Sequence, residues 1–175
     1  MILAFLRPNE RKSFDGILFA IPKLALKTSN STILADVKPD NILVNWTCDA
    51  EGNKTVADVT LGDFDITFKS EGGKPCTTPY AIGNAMWRSP EGQTGRGVTK
   101  ASDVYSFGLV CIYTLGGGEF LFLNDYQELE KNGIRPEQEI LIRHFAYFGL
   151  VPEELLQHVN SEDWYEALKG ASEIA

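Results

Sequence analysis

The stretch that most constrains this chain is Asp36-Val37-Lys38-Pro39-Asp40-Asn41-Ile42-Leu43-Val44. An acid, a lysine and an amide side chain fall close together, and the chain then runs straight into apolar residues. Pro39 fixes φ and cannot continue a helix, so the loop is stiff. Two readings are open on these residues alone. One is a polar turn ahead of a buried strand. The other is phosphoryl transfer, which needs a carboxylate to orient the attacking hydroxyl, a cation near the moving phosphate and oxygen ligands for magnesium. Asp36, Lys38 and Asn41 would supply all three from one loop.

Residues further along the chain separate the two readings. Asp63-Phe64 closes a strand-like run, Ser89-Pro90-Glu91 comes later, and Asp103-Val104-Tyr105-Ser106-Phe107-Gly108 later still. In that order these motifs resemble the catalytic loop, magnesium loop, activation-segment end and central helix of the eukaryotic protein kinase family. The resemblance covers about Ile33 to Val159. Lys38 directly before Pro39 is similar to the serine/threonine type. The run Ile140 to Pro152 resembles the lower lobe of the cyclin-dependent and SR-protein kinase groups.

The resemblance implies roles residue by residue. Asp36 would be the catalytic acid/base and Lys38 would neutralise the moving phosphate. Asn41 and Asp63 would bind the cofactor, magnesium-ATP, by holding the Mg2+ ion. Glu91 would anchor the activation segment to an arginine beyond this chain, which leaves it unpaired here. Asp103 would steady the catalytic loop through its backbone amides. Phe64 is expected in the core, while His144 and His158 read as surface or half-buried helix residues with no metal site near them.

Composition sets the class. The chain has 175 residues, 43% apolar and 23% charged, which fits one domain with a real core. A net charge of −8 argues against a nucleic-acid partner. Cys48, Cys76 and Cys111 are odd in number with no close pairing, which predicts a reducing, intracellular compartment. Residues 17–26 are apolar but interrupted by Pro22 and Lys23 and too short to span a bilayer, so no membrane partner is expected. The first ten residues give no secretory signal, so the sequons at Asn30, Asn45 and Asn53 read as unused.

Local patterns place the motifs. Residues 1–32 are atypical: Phe14, Ile17, Leu18 and Ile21 have helical spacing, but Pro22 breaks it. Ile42 to Trp46 and Val56 to Leu61 predict a hairpin, with Ala57, Val59 and Leu61 on its buried face. That hairpin would bring Asn41 and Asp63 side by side. Residues 66–88 read as a long functional loop with Thr77 and Thr78 near its middle; in the family this part receives the substrate peptide. Ser102 or Asp103 would cap a helix reaching about Leu115, apolar nearly all round and therefore central, and stopped by Gly116-Gly117-Gly118. Asn124 would cap a helix ending at Gly133, and Pro136 would start one ending at Gly149 with Leu141, His144 or Phe145, and Phe148 on one face. Pro152 to Val159 and Ser161 to Leu168 read as two short helices.

Four departures from the family stand out. Leu34-Ala35 replaces His-Arg, so a phosphate on Thr77 or Thr78 would lose its usual clamp. Asp65 replaces the glycine of the magnesium loop, a position where aspartate would adopt the required angles only at a cost. Asn84 stands where a threonine bridges Asp36 and Lys38. No glycine-rich loop, strand lysine or partner glutamate is found ahead of Asp36. The expectation is therefore a mainly α fold with a small β-hairpin (α+β), the C-terminal lobe of a protein kinase, with residues 33–175 a partial kinase domain. The implied function is ATP-dependent phosphoryl transfer to serine or threonine of a protein substrate. The alternative is a kinase-like binding module without turnover.

Overall fold

The computed structural model describes residues 32–117, 123 and 126–175. The reading of residues 1–31 and the proposed Asn124 cap lie outside the described residues. Among the described residues no helix is long and apolar enough to cross a membrane.

In chain order the strands are β1 (Thr32–Ile33), β2 (Ile42–Cys48), β3 (Lys54–Leu61), β4 (Phe68–Lys69), β5 (Cys76–Thr77) and β6 (Arg96–Val98). The helices are α1 (Pro90–Thr94), α2 (Lys100–Thr114), α3 (Tyr126–Lys131), α4 (Pro136–Phe148), α5 (Glu153–Val159) and α6 (Glu162–Ile174). The strands pair only in twos, all antiparallel: β1 with β4, β2 with β3, β5 with β6. Helices therefore supply most of the regular structure, as a mainly α fold with a small hairpin requires.

The hairpin forms as expected but shifts phase midway. Asn45 pairs with Asp58 while Trp46 pairs with Val56, leaving Ala57 as the extra residue of a β-bulge. Val59 and Leu61 face inward as expected, yet Ala57 is exposed and Val56 takes the inner position beyond the bulge. On β2 the inward set is Ile42, Val44 and Trp46.

Helix α2 organises the interior. Leu109 and Val110 are fully buried and serve two different clusters. Val110 packs with Leu34, Val37, Ile42, Val59 and Leu61 beneath the hairpin. Leu109 packs with Met86, Leu123 and Ile140 toward α4. A third cluster joins α4, α5 and α6 through Leu141, Phe145, Leu156, Val159 and Leu168. Burying one large aliphatic side chain contributes roughly 1.5–3 kcal/mol, so these contacts dominate what holds the lobe together. Val104 and Leu115 remain exposed, so the helix is apolar but not covered on every side.

Several boundaries differ from the sequence reading for identifiable reasons. The α2 cap is Thr99, whose hydroxyl accepts from Ala101 N–H, while Ser102 returns the bond from the third helical position. Both residues are good caps, and the capping box uses the pair. Helix α6 runs to Ile174 rather than Leu168, because Leu168 and Ala171 are both buried against α4 and α5. Residues 66–88 are not all loop: β4, β5 and a 3-10 turn at Glu71–Gly73 interrupt them. Leu141, His144 and Phe145 are buried together as the expected face of α4, with His144 at 1% exposed lying inside and not at the surface, while Phe148 at the helix end is 48% exposed.

Candidate active site

Three pieces of backbone converge on Asp36. The first is its own loop, held from below by α2. Asp103 accepts the N–H of Leu34 and the N–H of Ala35, each at 2.8 Å, one on each carboxylate oxygen. Burial pushes the Asp103 carboxyl up, and the two backbone donors oppose that rise. The expected steadying role of Asp103 is thus visible as geometry. Ala35 itself sits at φ 63. A non-glycine residue there costs energy, and the paired hydrogen bonds hold it in place.

The second piece is the turn Pro39–Asn41, which returns a side chain to the acid that precedes it. Asn41 is buried, and its Nδ2 donates to the Asp36 carbonyl at 2.9 Å and to Asp36 Oδ2 at 3.1 Å. Lys38 Nζ meets the same Oδ2 at 2.6 Å. With its nitrogen spent on Asp36, the Asn41 amide keeps its carbonyl oxygen as the end available to a cation.

The third piece comes from far along the chain. Asn84 N–H donates to Asp36 Oδ1 at 3.1 Å, so one carboxylate oxygen is met from each side. The expected side-chain bridge through Asn84 is not the one observed. Its Oδ1 instead accepts from Met86 N–H at 3.0 Å, because that short turn has an amide in reach. Gly83 makes the approach possible: it has φ 85, and a Cβ there would lie 2.1 Å from the Ala35 carbonyl oxygen. Sequence reading missed Gly83 and the backbone donor after it; a glycine just ahead of Asn84 was the available signal.

Asp63 arrives by the hairpin. Beyond the Ile42–Leu61 pair, Gly62 N–H donates to the Asn41 carbonyl at 2.8 Å, which sets Asp63 next to the Asn41 turn. Asp63 has φ 59, a second strained non-glycine residue beside the site. The next residue, Phe64, is 52% exposed rather than buried as expected. Asp65 has no positive φ, so the cost expected of an aspartate at that position is not incurred.

Asn41 and Asp63 suit magnesium, which takes few protein oxygens and completes its shell with water and phosphate. Among the described residues no group of three or more His, Cys, Asp or Glu forms a self-sufficient metal cage. A cation here would depend on the nucleotide phosphates for the rest of its ligands.

The remaining expectations fall outside this cluster. Glu91 is not unpaired: its Oε1 accepts from the Ser102 hydroxyl at 2.6 Å. Thr78 spends its hydroxyl on the Tyr80 carbonyl, whereas Thr77 is exposed. His158 bonds the Gly97 carbonyl at 2.9 Å, and among the described residues His144 has no hydrogen-bond partner on either ring nitrogen. Cys48, Cys76 and Cys111 are free thiols.

The whole arrangement lies inside a match to the protein kinase domain, which spans residues 15–167. The chain belongs to the protein kinase family. Over 134 residues it is 31% identical to the serine/threonine-protein kinase PknB of Mycobacterium tuberculosis, covering 72% of this chain and 20% of that protein. It is 39% identical over 101 residues to the serine/threonine-protein kinase prpf4B of Dictyostelium discoideum, covering 57% of this chain and 11% of that one. It is 31% identical over 121 residues to the ephrin type-A receptor 1 of Homo sapiens, 66% of this chain and 12% of the receptor. The chain spans a fifth or less of these relatives. Its membership makes it a transferase by family, and the family works with ATP and magnesium.

Proposed function

We propose that this chain forms the catalytic-loop lobe of a serine/threonine protein kinase, with Asp36 and Lys38 as the reacting pair and Asn41 and Asp63 as the metal-binding pair. The observation that carries it is the set of three donors around one carboxylate: Lys38 Nζ, Asn41 Nδ2 and the Asn84 N–H all point at Asp36. A carboxylate held this way is fixed in direction, which is what orienting a hydroxyl for attack demands. Lys38 sits at the edge of that carboxylate and can accompany negative charge moving across it. Bound magnesium-ATP would supply the phosphoryl group and screen its charge. Asp36 would accept the hydroxyl proton, and Asn41 and Asp63 would keep the phosphates in line with it. Similarity to PknB and prpf4B supports serine or threonine as the acceptor.

A second reading keeps the fold and drops the turnover. It is favoured by Phe64, which is turned to solvent directly after Asp63 instead of packing beneath it. One experiment separates the two: phosphotransfer to a serine-containing protein by the wild type, Asp36→Asn and Asp63→Asn. Activity lost in both variants supports the first reading. A silent Asp63→Asn removes the metal assignment, and an inactive wild type leaves the binding module.

A further inference from the structure

The chain carries a net charge of −8, yet most of the arginines among its described residues are gathered in one place. Of the four arginines among the described residues, three line a single cavity of about 700 Å³ between the Thr78–Ala81 turn, α1, α4 and α6. They are Arg88, Arg96 and Arg135, and no lysine lines the cavity. The fourth, Arg143, is paired with Glu139 at 2.8 Å and lies elsewhere on α4.

The three differ in what they already hold. Arg88 donates to Gln93 Oε1 and, at 3.1 Å, to the Gly83 carbonyl, so it is part of the wall. The guanidinium groups of Arg96 and Arg135 have no hydrogen-bond or ion-pair partner among the described residues. Arginine presents a planar fork of donors matched to a carboxylate, and two such forks facing one space form an anion site. Glu137 and Glu166 also line the cavity, so its charged side chains sum to a single excess positive charge. That balance suits one carboxylate better than a dianionic phosphate.

The cavity is also linked to the reacting group through its wall. Arg88 bonds the carbonyl of Gly83, and the next residue, Asn84, bonds Asp36. Its size is in the range of pockets that hold several side chains, and Leu141 and Trp164 add apolar wall.

We propose that this cavity receives an acidic side chain of the protein segment presented to Asp36, a substrate class that rests on the phosphotransfer reading of that site. The test is fluorescence anisotropy without nucleotide, using labelled serine peptides identical except for flanking Glu, Ala, Lys or phosphoserine residues. The Glu peptide should bind about tenfold more tightly than the Ala peptide, and the Lys peptide more weakly still. Arg96→Ala and Arg135→Ala should each erase most of that preference, while Arg143→Ala should leave it intact. Unchanged far-UV circular dichroism shows that the variants are folded. Equal binding of all peptides, a Glu preference that survives both substitutions, or binding of the phosphoserine peptide alone would overturn the proposal. Because the readout is binding, the two ideas fail separately. A chain that holds the Glu peptide through Arg135 but transfers no phosphate keeps the cavity and loses the kinase reading. Equal phosphorylation of acidic and neutral peptides does the reverse.

Discussion

The hydroxyl of Ser102 donates to the Glu91 carboxylate at 2.6 Å, joining the end of the activation segment to the first turn of α2. The same hydroxyl oxygen accepts the Thr99 N–H, so one side chain serves a capping box and a tertiary bond together. Ser102→Ala removes both. The expected loss is about 2 kcal/mol, the sum of a charge-assisted hydrogen bond and half a capping box. Urea unfolding would show it, and an unchanged midpoint would mean that Glu91 finds another donor.

Asp103→Asn should be worse than its modest change in shape suggests. The two oxygens of Asp103 each take a backbone N–H, and an amide can offer only one oxygen while its NH2 group faces the other donor. A loss of about 2 kcal/mol is expected, together with a larger fall in phosphotransfer, because the released amides belong to Leu34 and Ala35, directly ahead of Asp36. Equal stability of variant and wild type would contradict this account of the loop.

Acid should destabilise the lobe through His144. Burial lowers its pKa from 6.5 to about 4, and neither ring nitrogen has a partner among the described residues. At neutral pH the ring is uncharged in both folded and unfolded chains and costs nothing by titration. As pH falls below 6.5 the unfolded chain takes up a proton that the folded one refuses, so stability drops until about pH 4. The full effect is about 3 kcal/mol. His144→Leu should flatten the pH dependence of the melting temperature across that window, and an unaltered acid limb would sink the assignment.

Asp65→Gly should cost a little stability and spare activity. Asp65 already adopts an ordinary φ, so glycine relieves no strain there and only adds freedom to the unfolded chain, worth about 0.5–1 kcal/mol. A clear rise in melting temperature would show that the aspartate is strained after all.

How far the sequence could be read depended on whether a feature was local. Alternation made β2 and β3 legible, and the hairpin then brought Asn41 and Asp63 together. The bulge at Ala57 was not legible, because nothing in the residues themselves marks where an extra residue enters a ladder. Pro136 and Gly149 bounded α4 correctly, but how deeply His144 is buried depends on what α2 presents. Tyr105 lies 5.7 Å from the His144 ring, and that contact cannot be read from α4 alone. Glu91 was expected to need a partner from outside, whereas Ser102 lay a few residues further on with a hydroxyl in reach. The cluster of arginines was hidden for the same reason: Arg88, Arg96 and Arg135 are dispersed in sequence and meet only through packing.

Residues 68–77 are buckled at both ends, by β4 on β1 and by β5 on β6. Each buckle is a ladder of only two paired positions, and Phe68 and Cys76 pack on Ile33, Ile82 and Val98, while Leu109 and Val110 lie fully enclosed in the separate clusters of α2. Mechanically this is a strap fastened beside a solid block: either end can be undone without loosening the clusters of α2. Amide exchange along residues 68–77 would then track brief local release, and exchange at Leu109 and Val110 would wait for the whole lobe to come apart.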